Sequence, residues 1–131
     1  ENEPQNYAKS ISLPQIIDYN SEILILSAFP IEGDGPHLQY YADSSDKFWE
    51  LIFSCLEEDD PAGYGERIAC LLKHHIALGT VMKITQTVRA GTLQRQFNPN
   101  DFQELLKKYP TIKTIVFNGD KAFQLFKKMF P

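Results

Sequence analysis

The chain has 131 residues, 43% hydrophobic and 12% aromatic, which is enough for one domain with a real core and too apolar for a disordered segment. No apolar run is long enough to span a bilayer, and the Glu1-Asn2-Glu3-Pro4 start lacks a basic region leading into an apolar one, so a soluble, intracellular (cytoplasmic) protein is expected. The formal charge of −4 conceals a polarity: residues 1–66 hold Lys9 and Lys47 against 14 acids, whereas residues 67–131 hold 11 basic residues against Asp101, Glu104 and Asp120.

Residues 1–10 read as a loose arm, and residues 11–131 as a single domain. Leu13, Ile16 and Ile17 suit a short capping segment, and the isoleucine-rich run Ile23 to Leu26 predicts a buried strand. Pro30, Gly33, Gly35 and Pro36 then force a loop. From Asp46, a standard N-cap residue type, Phe48, Trp49, Leu51, Ile52, Cys55 and Leu56 recur at helical spacing until Glu57-Glu58-Asp59-Asp60-Pro61. A second helix is expected from about Gly65 to His75, burying Ile68, Leu71 and Leu72, and a second strand across Ile76 to Ile84. The polar stretch from Thr85 to Asn98 reads as a connecting loop. Asn98-Pro99-Asn100-Asp101 stops the chain and caps a third helix carrying Phe102, Leu105 and Leu106. Lys113 to Phe117 predicts a third strand, and Asn118-Gly119-Asp120 turns into a fourth helix with Ala122, Phe123, Leu125 and Phe126.

Strands separated by helices imply parallel pairing with right-handed crossovers, hence an α/β fold: a three-layer α/β/α sandwich around a mainly parallel sheet. In such folds the loops leaving the carboxyl ends of the strands form the site. That rule selects Ser27 to Pro30, Gly79 to Thr85, and Asn118-Gly119. Arg89, Arg95 and Lys121, among the basic residues of the second half, could hold phosphates, although lysines at helix ends are also ordinary solvated surface.

Cys55 and Cys70 are too few for a disulfide framework and show no metal-ligand spacing with His37, His74 or His75, so both are expected as buried, reduced thiols. Adjacent residues on a helix face different ways, which makes His74-His75 a helix-end cap rather than a ligand pair. No metal site is expected. Gly33-Asp34-Gly35 and Gly63-Tyr64-Gly65 lack the context of phosphate-binding loops.

Taken together, Ile23-Leu24-Ile25-Leu26-Ser27-Ala28-Phe29-Pro30, Gln39-Tyr40-Tyr41, Phe48-Trp49, Asn100-Asp101-Phe102 and Phe117-Asn118-Gly119-Asp120-Lys121-Ala122 resemble the hypoxanthine-DNA glycosylase branch of the uracil-DNA glycosylase superfamily. The resemblance runs from about residue 11 to the end. It implies an α/β sandwich, no metal or cofactor, and hydrolysis of the N-glycosidic bond of a deaminated base, hypoxanthine or uracil, flipped out of DNA. On this view Ser27, Ala28, Phe29, Pro30, Tyr41, Phe48, Thr80 and Asn118 line the base pocket. Phe29 and Tyr41 form its aromatic wall, and Asn118 either reads the base edge or simply makes the Asn-Gly turn.

The departures from the family pattern are specific. Ser27 stands where relatives have glycine, and Asp43-Ser44-Ser45-Asp46 replaces a His-Pro pair, one variable residue and an asparagine. Gly79 and Thr80 stand where relatives have Trp-Asp, and the sequence ends at Phe130-Pro131, where relatives continue into a serine- and proline-rich loop that grips the DNA backbone. Asp46 is therefore either a general base for water or a helix cap. The rival readings are a non-catalytic interaction domain on the same fold and a small-molecule nucleobase or nucleotide binder.

Overall fold

The computed structural model describes residues 7–10, 13–30, 38–42 and 46–131. The Gly33–Pro36 loop, His37 and Asp43 to Ser45 lie outside them. The strands and helices in chain order are β1 (Tyr7–Ser10), β2 (Ile23–Ser27), α1 (Phe48–Leu56), α2 (Tyr64–Lys73), β3 (Ile76–Thr80), β4 (Met82–Arg89), β5 (Thr92–Pro99), α3 (Phe102–Lys108), β6 (Thr114–Phe117) and α4 (Asp120–Met129).

The expected α/β architecture with a parallel sheet is present. Strand β2 lies at the centre, parallel to β3 on one side and β6 on the other, in the order β3-β2-β6. Its five residues alternate between two layers because side chains in a strand point to opposite faces in turn. Leu24 and Leu26 join Ala77, Val81, Phe102 and Ala122, whereas Ile25 joins Trp49, Phe53, Leu71, Ile76 and Leu78. Helices α3 and α4 thus cover one face of the sheet and α1 and α2 the other. On α1 the buried stripe runs through Trp49 and Phe53, and Leu51, expected to share it, is exposed because it lies across the helix.

The segment from Thr85 to Asn98, expected to be a loop, is instead a long β-hairpin. β4 pairs antiparallel with β5 from Met82↔Pro99 to Arg89↔Thr92, and the expected second strand divides at Val81 into β3 and β4. Ala90 and Gly91 both have positive φ, 52° and 81°, the backbone that matches a two-residue turn to twisted strands. The polar composition concealed the alternation of Met82, Ile84 and Val88 with Lys83, Thr85 and Thr87. Tyr7–Ser10, within the segment expected as an arm, forms β1 and pairs antiparallel with β4, giving a second sheet in the order β1-β4-β5.

The helix starts follow local chemistry. Asp101 accepts a hydrogen bond from the Glu104 backbone N–H at 3.0 Å, so the expected cap of α3 is real. Helix α4 begins after Gly119, whose φ of 103° and ψ of 155° belong to a region that essentially only glycine enters.

Candidate functional site

The carboxyl ends of β2, β3 and β6 lie side by side, with Ser27 opposite Thr80 and Leu26 opposite Phe117. The loop after β2 is fastened to the β3–β4 junction, since Val81 N donates to the Ser27 carbonyl at 2.8 Å and Met82 N to that of Ala28 at 3.1 Å. Asn118 N donates to the Leu26 carbonyl at 2.8 Å, which fixes the turn after β6 against the same edge.

Tyr41 closes this edge. Its hydroxyl accepts a hydrogen bond from Asn118 Nδ2 at 3.1 Å and also engages Ser27. Its ring stacks on Phe48 with centroids 3.8 Å apart and planes 15° from parallel, and meets Trp49 edge-on at 6.3 Å. Tyr41 holds φ at 57°, a left-handed backbone that costs a non-glycine residue about 1 kcal/mol, and the stack and the Asn118 bond are the contacts that maintain it. Burial pushes its phenol above the usual tyrosine range, the hydrogen bonds from Asn118 and Ser27 draw it back, and the Asp46 carboxylate raises it further. At neutral pH Tyr41 is therefore a neutral hydrogen-bonding group.

Asp46 is not the N-cap of α1, which is Lys47; it stands one residue earlier, where its Oδ1 reaches past the cap and accepts from the Phe48 N–H at 2.9 Å. One carboxylate oxygen is thus committed to the helix start, while the charge is still felt at Tyr41. Phe29 lies in a second aromatic cluster, 45% exposed, edge-on to Phe97 at 5.5 Å and beneath Lys121 Nζ at 5.8 Å. Tyr41 and Phe29 therefore flank the strand ends in separate clusters rather than in one wall. Ala28 packs into the core beside α4, and Pro30 is half-buried. Thr80 is buried, with its hydroxyl donating to the Met82 carbonyl at 2.6 Å and its own carbonyl accepting from Asn100 Nδ2 at 2.9 Å, so it shapes the β3–β4 junction.

Comparison with known proteins identifies the family and the fold. No family model matches the chain. It is 32% identical over 118 residues to the hypoxanthine DNA glycosylase of Methanosarcina barkeri, an alignment covering 87% of this chain and 73% of that protein. The hypoxanthine DNA glycosylase of Methanosarcina acetivorans is 31% identical over 113 residues, covering 83% and 70%. The solution NMR structure of a proposed uracil DNA glycosylase from Methanosarcina acetivorans superposes with a TM-score of 0.65 at 26% identity, over 94% of this chain and 79% of that one. The chain belongs to the hypoxanthine DNA glycosylase family, within the uracil-DNA glycosylase superfamily.

Family membership gives the departures a structural meaning. Ser27 reaches the Tyr41 hydroxyl and joins the Tyr41–Asn118 polar group. At Gly79 a Cβ would strike the Gln15 side chain, so the capping segment occupies the space that a large residue at position 79 would need. Arg89 is exposed at the hairpin turn, Arg95 is exposed on β5, and Lys121 is exposed on the first turn of α4 beside Phe29. Lys107, Lys108, Lys127 and Lys128 occupy the last turns of α3 and α4, which run back toward the opposite end of the sheet. They complement helix dipoles there and lie away from the strand ends.

Phe97 escaped the sequence reading because it was assigned to a loop. The alternation of the hairpin, with Ala90-Gly91 at its turn, was the signal that could have found it. Among the described residues the one grouping with metal-ligand character is Glu58, Cys70 and His74, at the opposite end of the parallel strands. No helix among the described residues is long and apolar enough to cross a membrane.

Proposed function

We propose that this protein is a DNA glycosylase that hydrolyses the N-glycosidic bond of a deaminated base, with hypoxanthine the first candidate, after the nucleotide is flipped into the crevice at the strand ends. The observation that carries this reading is the Asn118–Tyr41 hydrogen bond at that edge. With one N–H directed at Tyr41, the Asn118 amide retains its Oδ1 acceptor and a second N–H. That pair complements the adjacent N–H and C=O that deamination creates on hypoxanthine and that uracil also carries. The relatives named as hypoxanthine DNA glycosylases support the same substrate class.

In the reaction a water oxygen bonds to the sugar C1′ as the bond from C1′ to the base nitrogen breaks, and the bonding electrons leave with the base. Negative charge therefore grows on the base while the sugar gains oxocarbenium character. The N–H of Asn118 stabilises the first, and the Asp46 carboxylate, through the oxygen not used by Phe48 N–H, orients the water and takes its proton. Phe29 stacks against exposed nucleobases, and Lys121 with Arg89 and Arg95 neutralises phosphates of the DNA.

The test is strand cleavage after alkali treatment of duplex and single-stranded oligonucleotides carrying one hypoxanthine or uracil, with protein in excess. Cleavage at hypoxanthine that is lost in both Asp46→Asn and Asp46→Ala fits Asp46 as the group that takes the water's proton, because an asparagine amide cannot accept one; cleavage retained in Asp46→Asn would leave position 46 only the orienting of the water. No cleavage by the folded wild-type protein, together with retained DNA binding, would replace this reading with a non-catalytic DNA-binding domain.

A further inference from the structure

Helix α1 ends in a left-handed residue, Glu57, after which Glu58 N donates back to the Phe53 carbonyl at 3.1 Å. This turn carries the Glu58 carboxylate toward α2. On α2, Cys70 and His74 are four residues apart, so their side chains share one face. His74 Nε2 lies 2.9 Å from Glu58 Oε2, and the Cys70 Sγ, the His74 ring nitrogen and the Glu58 oxygen all fall within 4.8 Å of one another. The expectation about ligand spacing needs correction: Cys70 does have a ligand-type partner at i+4. His74 is, as expected, the helix-end cap of α2, partly exposed and with its ring beside Glu58, and His75, at φ 65°, is exposed beyond it. Neither cysteine is buried as expected: Cys55 is exposed and Cys70 is half-buried.

We propose that Glu58, Cys70 and His74 form a binding site for a divalent cation of the zinc class, with a fourth position open to water. The donor set of one thiolate, one imidazole and one carboxylate suits a borderline-soft ion and is unsuited to magnesium or calcium, which take oxygen. Tetrahedral bonds of about 2.0–2.3 Å place donor atoms about 3.3–3.8 Å apart, so side-chain adjustments of about 1 Å complete the site. The ligand backbones are already fixed: His74 N donates to the Cys70 and Leu71 carbonyls at 3.1 and 3.0 Å, and Glu58 is held by its bond to Phe53. The side chains of His74 and Glu58 are 30% and 39% exposed, which gives an ion and its water access from solvent.

The neighbouring charges favour a cation. Glu57, Glu58, Asp59 and Asp60 run consecutively beside the site, opposed locally by Lys73 and by Arg67, which is engaged by Asp60. The site joins the end of α1 to the end of α2. It stands about 15 Å from the strand carboxyl ends, the length of β3, so its role is to tie the helical layer together rather than to act on DNA.

The experiment is titration of the reduced, chelator-treated protein with Co2+ and then Zn2+, with Mg2+ as the oxygen-preferring control. Expected are one ion per chain, a thiolate-to-cobalt charge-transfer band that Zn2+ removes, and no response to Mg2+. At Zn2+ a hundred times its Kd the melting temperature should rise by about 8 °C. Cys70→Ser and His74→Ala, each shown folded by circular dichroism, should bind at least about a hundredfold more weakly, beyond the loss caused by removing an outer-sphere partner. Absence of the band in folded, reduced protein overturns the proposal. So does a band that survives in Cys70→Ser, which would assign the ion to Cys55.

Discussion

Asn118→Ala separates a base-reading amide from a turn-making one. The residue is exposed, and the side-chain bond lost is one neutral contact of 3.1 Å to Tyr41, so the expected stability cost is about 0.5–1 kcal/mol, a small shift in melting temperature. The Asn118 backbone bond to Leu26 and the glycine at 119 do not depend on that side chain, so the turn itself persists. If the amide stabilises charge on the departing base, excision of hypoxanthine should fall about 10²–10³-fold, as for removal of one positioned donor in a charge-stabilising site. Tyr41→Phe is the informative companion. It breaks the same bond, and the Ser27 contact with it, but keeps the Phe48 stack and leaves the amide in place, so excision should fall by only about tenfold. Single-turnover excision rates and thermal melts of both variants and the double variant form the cycle, with a coupling of about 0.5–1 kcal/mol expected in stability. Wild-type excision by a folded Asn118→Ala protein would refute the assigned role. So would a Tyr41→Phe defect as deep as that of Asn118→Ala, because the chemistry would then reside in the tyrosine.

Lys121→Ala should weaken DNA binding uniformly across sequences and reduce the slope of log K against log salt by about 1, measured by fluorescence anisotropy at several ionic strengths; an unchanged slope places Lys121 off the phosphates. Tyr40 is buried, donates to the Pro14 carbonyl at 3.0 Å, and its phenol is raised well above the usual value of 10.0 by burial first and then by Tyr64 and Tyr41. Its neutral form is favoured in the folded state, so its contribution is complete below pH 10 and is lost as the unfolded phenol ionises above it. The loss approaches about 1.4 kcal/mol per pH unit. Tyr40→Phe should flatten the decline in melting temperature between pH 10 and 11, and an unchanged decline would assign the alkaline sensitivity elsewhere. Arg67 makes two bonds of 2.8 Å to Asp60 and lies 5.3 Å over Trp49, so Arg67→Ala should cost about 1 kcal/mol after allowance for solvent screening. Because that contact holds the Asp60 carboxyl below its usual range, the Asp60 part of the penalty should be lost in melts carried out as pH falls below the carboxylate range, leaving the smaller part due to Trp49.

Local sequence determined the elements whose signals are short-range. Ile23 to Leu26 is a strand because branched apolar residues run together, Asp101 starts α3 because its carboxylate reaches an N–H three residues on, and Asn118-Gly119 turns because Gly119 must adopt a backbone closed to other residues. The alternation of strand and helix likewise dictated a parallel sheet and directed attention to its carboxyl edge, and the motifs along that edge carried the family resemblance. Tertiary structure decided which side chains meet there. Tyr41 and Asn118 are 77 residues apart in sequence, and the chain must close before a phenol and an amide touch. Phe29 found Phe97 rather than Tyr41 because the hairpin, polar on its surface and readable as a loop, brings β5 alongside the loop after β2. Cys70 and His74 advertise one helical face, but Glu58 is 16 residues from His74 and enters only through the packing of α1 against α2. Periodicity specifies how a segment folds; it carries no record of which distant segment supplies the third group of a site.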